Sequence, residues 1–367
     1  MDNTTRYLGV DCLSRHADAL LLGKRCLIVT GRTSAVKSGA LAAVTAVLNR
    51  HDIPFTVYNG ITENPLLAHC REAGEMGHAF GADFVVAIGG GSPIDAAKAA
   101  SVLAVRPTMT EDELYDPSFP KPGLPIAAVP LTAGTGSEVN RYAVLTVGER
   151  KRSFSAPDIL PRAAFLDPTF LKTLDPGYTV STMLDAFCHC LESYLSPKST
   201  PASEEAALRG GAVLFRLLTE HDFGPTEDDA AGLSLADREA SLVAAADGGE
   251  AIKITGTGFP HPLGYGLTLR YGIPHGAACG AFIGAYVACN RRTERGAARL
   301  EAFAKHLGTT VDLIAAIIPA LADVNLVLSP SEISTMIALV SGAKNYQNAP
   351  YVLTDEEGAA ILTALFG

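Results

Sequence analysis

Through its first half the chain alternates short apolar runs with amphipathic stretches, separated by glycine, proline and polar residues. Residues 25–30 (RCLIVT) predict a buried strand, and 34–50 predicts a helix with Val36, Leu41, Val44 and Leu48 on its apolar side. A second strand is predicted at 55–58, a helix at 64–80 ending near Gly81, and a third strand at 84–88. A glycine turn follows at once, and a helix runs from Pro93 to Val105, where proline is tolerated because a first-turn N–H needs no partner. Further strands are predicted at 125–129 and 163–166, so the alternation predicts a parallel sheet covered on both faces. Residues 107–123, acidic and rich in proline, read as an exposed loop over the sheet edge. From about Asp175 strand-like runs cease. The stretch 179–195 places Met183, Leu184, Phe187, Leu191 and Tyr194 on one stripe, and helices are predicted at 202–218, 234–246, 277–290, 293–307, 313–321 and 329–343. The expectation is an α/β domain over 1–175 and an all-α domain over 176–367, with a cleft between them.

Composition narrows the class. The 367 residues, 48% of them hydrophobic, exceed one ordinary core and suit two domains of roughly 100–200 residues. A net charge of −10 argues against nucleic acid as a partner. No run reaches the roughly 18 apolar residues of a membrane span; the nearest, 277–289, is interrupted by Gly280 and Gly284. The opening MDNTTRYLG lacks a signal-peptide pattern. Seven scattered cysteines with no CxxC pair indicate neither a zinc ribbon nor a disulfide framework, and free thiols fit a cytoplasmic protein.

Four motifs carry candidate chemistry. GGGSPIDAAK, Gly89 to Lys98, follows a predicted strand; glycines admit a diphosphate, and the N–H groups of the helix start point at its charge. A plain tight turn is the competing explanation, weakened because ligands of open α/β sheets sit at this end of the strands. PLTAGTGSEVNRYAVLT, Pro130 to Thr146, is a second such loop with Thr132, Thr135, Gly136 and Ser137. Asp185 and His189, at i and i+4, share one helix face, and Glu192 continues the stripe as a lesser candidate. Alone, such a pair is commonly a surface hydrogen bond. TGTGFPHPLGYGLTLRYGIPHG, Thr255 to Gly276, places His261 and His275 on expected irregular backbone. Together they make a set of one carboxylate and three imidazoles, suited to Zn²⁺ or Fe²⁺.

GGGSPIDAAK, TAGTGSEV, LDAFCHCLESY and HPLG…GIPHG resemble the iron-containing (group III) alcohol dehydrogenases, in family order from the first strand to about Cys289. The resemblance implies a Rossmann-like dinucleotide-binding domain, a helical domain of dehydroquinate synthase-like architecture, one divalent metal and NAD(P)-linked alcohol–aldehyde chemistry. It places the metal ligands, and with them the catalytic centre, on Asp185, His189, His261 and His275. It places the diphosphate loop on Gly89, Gly90, Gly91, Ser92 and Asp95, with further dinucleotide contacts at Thr132, Thr135, Ser137, Thr146 and Lys151. Two positions depart from the pattern. Tyr265 stands where many members carry a histidine near the nicotinamide. Gly31 and Arg32 stand where NAD-preferring members carry an aspartate, so Arg32, Ser34 or Lys37 is placed to hold a 2′-phosphate, and NADPH is expected over NADH. Iron is expected first and zinc second.

Within this reading the metal polarises a carbonyl and the nicotinamide delivers hydride; Cys188 and Cys190 are packing residues. The 255–276 block resembles members that reduce phosphonoacetaldehyde to 2-hydroxyethylphosphonate, for which Arg141, Lys253 and Arg270 are candidate anion contacts beside Tyr265. The alternatives are a short-chain alcohol dehydrogenase of butanol or lactaldehyde type, a glycerol dehydrogenase or dehydroquinate synthase-like enzyme, and a non-catalytic metal- and nucleotide-binding protein. No nucleic-acid or membrane partner is expected. A homodimer is implied, with a strand at 7–10 exchanged or paired across subunits.

Overall fold

A computed structural model describes residues 3–367. Six strands form one parallel sheet: β1 (Thr5–Leu8), β2 (Cys26–Gly31), β3 (Phe55–Ile61), β4 (Phe84–Gly89), β5 (Ile126–Pro130) and, after a hairpin, β8 (Ala163–Leu166). Their order across the sheet is β1-β8-β5-β4-β2-β3. Every residue of β2, β4 and β5 is buried, as expected of central parallel strands covered on both faces. The chain leaves β2 toward β3 on one side and returns to β4 on the other. The order of strands therefore reverses at the adjoining carboxyl ends of β2 and β4, where open α/β sheets bind ligands.

Several local expectations are corrected. The 34–50 helix is broken at Gly39, whose φ of +82° no interior helical residue adopts, into Ser34–Lys37 and Ala40–Arg50; Val36 points to solvent. The 107–123 stretch is not wholly an exposed loop. Thr110 and Glu113 form a capping box for the short helix Glu111–Tyr115, and Met109 and Leu114 enter the core. Residues 142–155 form an antiparallel hairpin of β6 (Tyr142–Val147) and β7 (Arg150–Ser155), turned at Gly148 with φ +59°. The expected strand at 7–10 begins earlier, at Thr5, and pairs with β8 of its own chain.

The described residues divide into two compact units: 3–175 with 224–246, and 176–223 with 247–367. The segment 224–246 thus groups with the first unit, and the helix Leu235–Thr255 passes from that unit into the second. Within that segment the fully buried Arg238 is paired with Asp229 at 2.7 Å. The second unit is helical. The expected helix 277–290 is interrupted between His275–Gly280 and Ile283–Asn290. The 255–276 block is less irregular than expected: Pro260 opens a helix, Pro260–Tyr271, and Gly272 ends it at φ +68°. Among the described residues no single helix is long and apolar enough to cross a membrane.

Candidate functional site

In the second unit, the helix Pro176–Leu195 carries Asp185, His189 and Glu192 at i, i+4 and i+7 on one stripe, all buried. His261 lies in the first turn of Pro260–Tyr271, and His275 is the first residue of His275–Gly280. A Cβ on Gly276 would stand 1.7 Å from the Ser181 carbonyl oxygen and 2.8 Å from the Asp185 nitrogen. Only glycine lets this helix press so closely on Pro176–Leu195, and that approach brings His275 to Asp185. The Ser181 hydroxyl accepts from the Ala277 N–H at 3.1 Å and fixes the crossing.

Asp185 faces each of the three expected imidazoles. The Oδ1 of Asp185 is 3.5 Å from His189 Nε2, 3.5 Å from His261 Nε2 and 3.8 Å from His275 Nε2. Tetrahedral donors about 2.1 Å from a cation stand roughly 3.4 Å apart, close to these separations. Asp185 Oδ1 and His261 Nε2 are buried and make no hydrogen bond, so this pair of polar atoms fits a cation. Burial works against a charged Asp185, but His189, His275 and His261 outweigh it and hold the carboxyl well below the usual carboxylate range. Burial likewise opposes charge on His261, yet Glu192 and Asp185 push the imidazole up to about 10. Glu192 touches His261 through the other ring nitrogen, with both oxygens within 3.0 Å of Nδ1. One thiol escaped the sequence reading. The ligand atoms of Asp185, His261, His275 and Cys279 lie within 4.8 Å of one another; the i+4 spacing in HGAAC was the available signal.

The glycine loops belong to the first unit. Gly31 ends β2, 3.8 Å by its would-be Cβ from Pro93, so the carboxyl ends of β2 and β4 adjoin. Arg32 and Ser34 are exposed there. Gly89 closes β4 at φ +154°, and the helix Gly91–Val105 begins with Gly91 and Ser92, whose N–H groups have no acceptor within the helix. Would-be Cβ atoms on Gly90 and Gly91 meet Thr132 and Thr135, so the two loops pack directly together. The cradle of bare backbone and helix start fits a diphosphate. Asp95 is turned inward instead: it accepts from the Val144 N–H at 2.9 Å and from the Ser137 hydroxyl. Fully buried Lys98 donates to Ser137 Oγ and the Tyr142 carbonyl, each at 2.6 Å, and to Asn140 Oδ1 at 3.2 Å. Asp95 and Ser137 therefore tie the second loop to the helix. Thr146 and Lys151 face each other across the hairpin, and Thr146 also donates to the Asn64 carbonyl.

The candidate anion contacts divide between the two units. Arg141 is exposed in the first unit. Lys253 is paired with Glu250. Arg270 is exposed, nine residues from His261 and so about 180° around the helix from it. Tyr265 stacks on His275, ring centres 5.7 Å apart.

Comparison with known proteins extends this geometry. The iron-containing alcohol dehydrogenase profile matches residues 3–168, and the C-terminal profile of the same family matches 179–361. The chain belongs to the iron-containing alcohol dehydrogenase family. As a member it is an oxidoreductase of the alcohol–carbonyl class. An iron-containing alcohol dehydrogenase from Thermotoga maritima superposes with a TM-score of 0.89 at 32% identity, covering 99% of this chain and 98% of that one. Alcohol dehydrogenase 4 of Schizosaccharomyces pombe is 31% identical over 82% of this chain and 70% of its own length. Lactaldehyde reductase of Escherichia coli is 29% identical over 70% of this chain, and the match spans 65% of that relative.

Proposed function

We propose that the enzyme interconverts a small aldehyde and its primary alcohol, with NADPH preferred over NADH and one divalent cation, iron before zinc, held by Asp185, His189, His261 and His275. The observation that carries this is the meeting of one carboxylate oxygen with three imidazole nitrogens at 3.5–3.8 Å. Such a cation supplies Lewis-acid polarisation of a carbonyl oxygen, and the dinucleotide supplies hydride. Gly89, Gly90, Gly91 and Ser92 offer backbone to the diphosphate, while Thr132 and Thr135 flank it. Arg32 and Ser34 at the end of β2, with no carboxylate between Gly31 and Ser34, favour a 2′-phosphate. Tyr265, stacked on His275, puts a phenol rather than an imidazole at this position, so a proton relay through a histidine there is not available to this chain.

Two substrate classes suit the site. Phosphonoacetaldehyde is favoured by the wording of the 255–276 block. A neutral short-chain aldehyde of lactaldehyde or butanal type is favoured by the pairing of Lys253 with Glu250 and the outward face of Arg270. Seven free cysteines suit a reducing compartment such as the cytoplasm, and a homodimer completes the reading. The deciding experiment is a panel of these aldehydes with NADPH and NADH, before and after chelation and metal add-back. Turnover restored by Fe²⁺ or Zn²⁺, with higher kcat/KM for NADPH, supports the proposal. Full turnover after complete metal removal refutes it.

A further inference from the structure

We infer that Glu192 is the positioning residue of the cation site, holding His261 with its proton on Nδ1 and its Nε2 lone pair turned toward Asp185. The inference rests on the cation reading above and adds to it a residue that touches neither cation nor substrate. Glu192 is fully buried on the same stripe as Asp185 and His189, one heptad beyond Asp185. Its carboxylate lies on the far side of the His261 ring: Oε2 and Oε1 are 2.9 and 3.0 Å from Nδ1, whereas Nε2 faces Asp185 Oδ1 at 3.5 Å. A carboxylate accepts and never donates, so of the two neutral tautomers this contact admits only the one with Nδ1–H, which leaves Nε2 free for a cation. The same Oε2 accepts the Gly258 N–H, which ties the backbone two residues before Pro260 to the helix carrying Asp185. Side chain and backbone of the His261 segment are thus registered against Asp185 by one group. That arrangement, carboxylate to imidazole to cation, is the one that fixes ligand orientation and raises ligand basicity in metal sites generally.

Glutamine is the informative replacement, because it keeps the shape. Its amide has one acceptor oxygen for two donors. Either the Gly258 N–H is left unpaired, or the amide NH₂ donates to Nδ1 and forces the His261 proton onto Nε2, where a cation would sit. The test uses full-length metal-free protein and zinc as probe, titrated against a chromophoric chelator, with thermal unfolding of the metal-free protein alongside. Glu192→Gln is expected to bind one zinc per chain roughly 10- to 100-fold more weakly than wild type, with the metal-free unfolding temperature little changed. Proton NMR of the zinc-loaded wild type is expected to show a downfield, slowly exchanging imidazole N–H that is lost in His261→Ala and that moves upfield or exchanges faster in Glu192→Gln, where a neutral amide replaces the carboxylate acceptor. An affinity loss below about threefold, or no such proton in wild type, overturns the inference and leaves the cation reading standing. Undiminished zinc affinity in His261→Ala overturns the cation reading itself. Should Glu192→Gln fail to fold, the wild-type proton spectrum against His261→Ala still decides.

Discussion

Gly276→Ala isolates the close crossing that brings His275 to Asp185. The new Cβ would lie 1.7 Å from a backbone oxygen, while real Cβ contacts essentially never fall below 3.0 Å, so the His275–Gly280 helix must retreat by at least about 1.3 Å. The obstacle is backbone on both sides, and no side chain can swing clear. Coordination bonds tolerate only about 0.2 Å. His275 therefore leaves the ligand set even if the fold accommodates the strain. Overpacking of this kind costs about 1–3 kcal/mol of stability. Metal affinity should fall by at least the roughly 100-fold that disturbing a ligand's supporting partners costs. The assay is ion content per chain after desalting, set beside the unfolding midpoint of the metal-free protein. Gly224→Ala, with nothing within 4 Å of the added carbon, serves as control and should change neither. A Gly276→Ala protein that keeps one ion per chain at wild-type affinity would refute the reasoning, whatever its stability.

Two further outcomes concern the first unit. Lys98→Met removes the donor shared by Ser137, Asn140 and Tyr142 and leaves the Asp95 carboxylate without its cation; a loss of about 3–5 kcal/mol is expected, with a raised KM for the dinucleotide, and a urea midpoint close to wild type would contradict it. Burial opposes charge on Asp229, but Arg238 and the backbone N–H groups of Ala231 and Leu233 outweigh it and lower its pKa. Its folded pKa is below its unfolded one, so the stability it contributes is present above the ordinary 3.8 and is lost as pH falls through the folded value. Asp229→Asn should flatten the acid limb of a urea-midpoint profile between about pH 5 and 2; an unchanged slope would count against the pairing.

The sheet strands were legible because a buried parallel strand is an unbroken apolar run, and β2, β4 and β5 are buried at every residue. The approach of Asp185 to the three histidines was legible in residue type and spacing, since Asp185 and His189 share a helix face whatever packs on it. What was not legible depends on contacts distant in sequence. Val36 fits an apolar stripe, but the φ of Gly39 turns its helix away from the core. The helix around His261 was hidden by its glycines and prolines: Pro260 starts it, and a Cβ on Gly264 or Gly266 would press on the Cys279 backbone or Met336. Asp95 looked like a diphosphate contact because the motif is local, whereas its partners Ser137 and Val144 lie more than forty residues away.

All seven thiols are sealed inside the folded chain. Burial pushes Cys12 up to about 12 and drives the pKa of Cys26, Cys70, Cys188, Cys190 and Cys289 upward, which suppresses the reactive thiolate further. Their distribution follows the two compact units: Cys12, Cys26 and Cys70 in one, Cys188, Cys190, Cys279 and Cys289 in the other. The protein thereby carries its own opening record. Alkylation in rising denaturant, read as intact mass, leaves adducts of three, four or seven according to whether one half loosens first or both yield together.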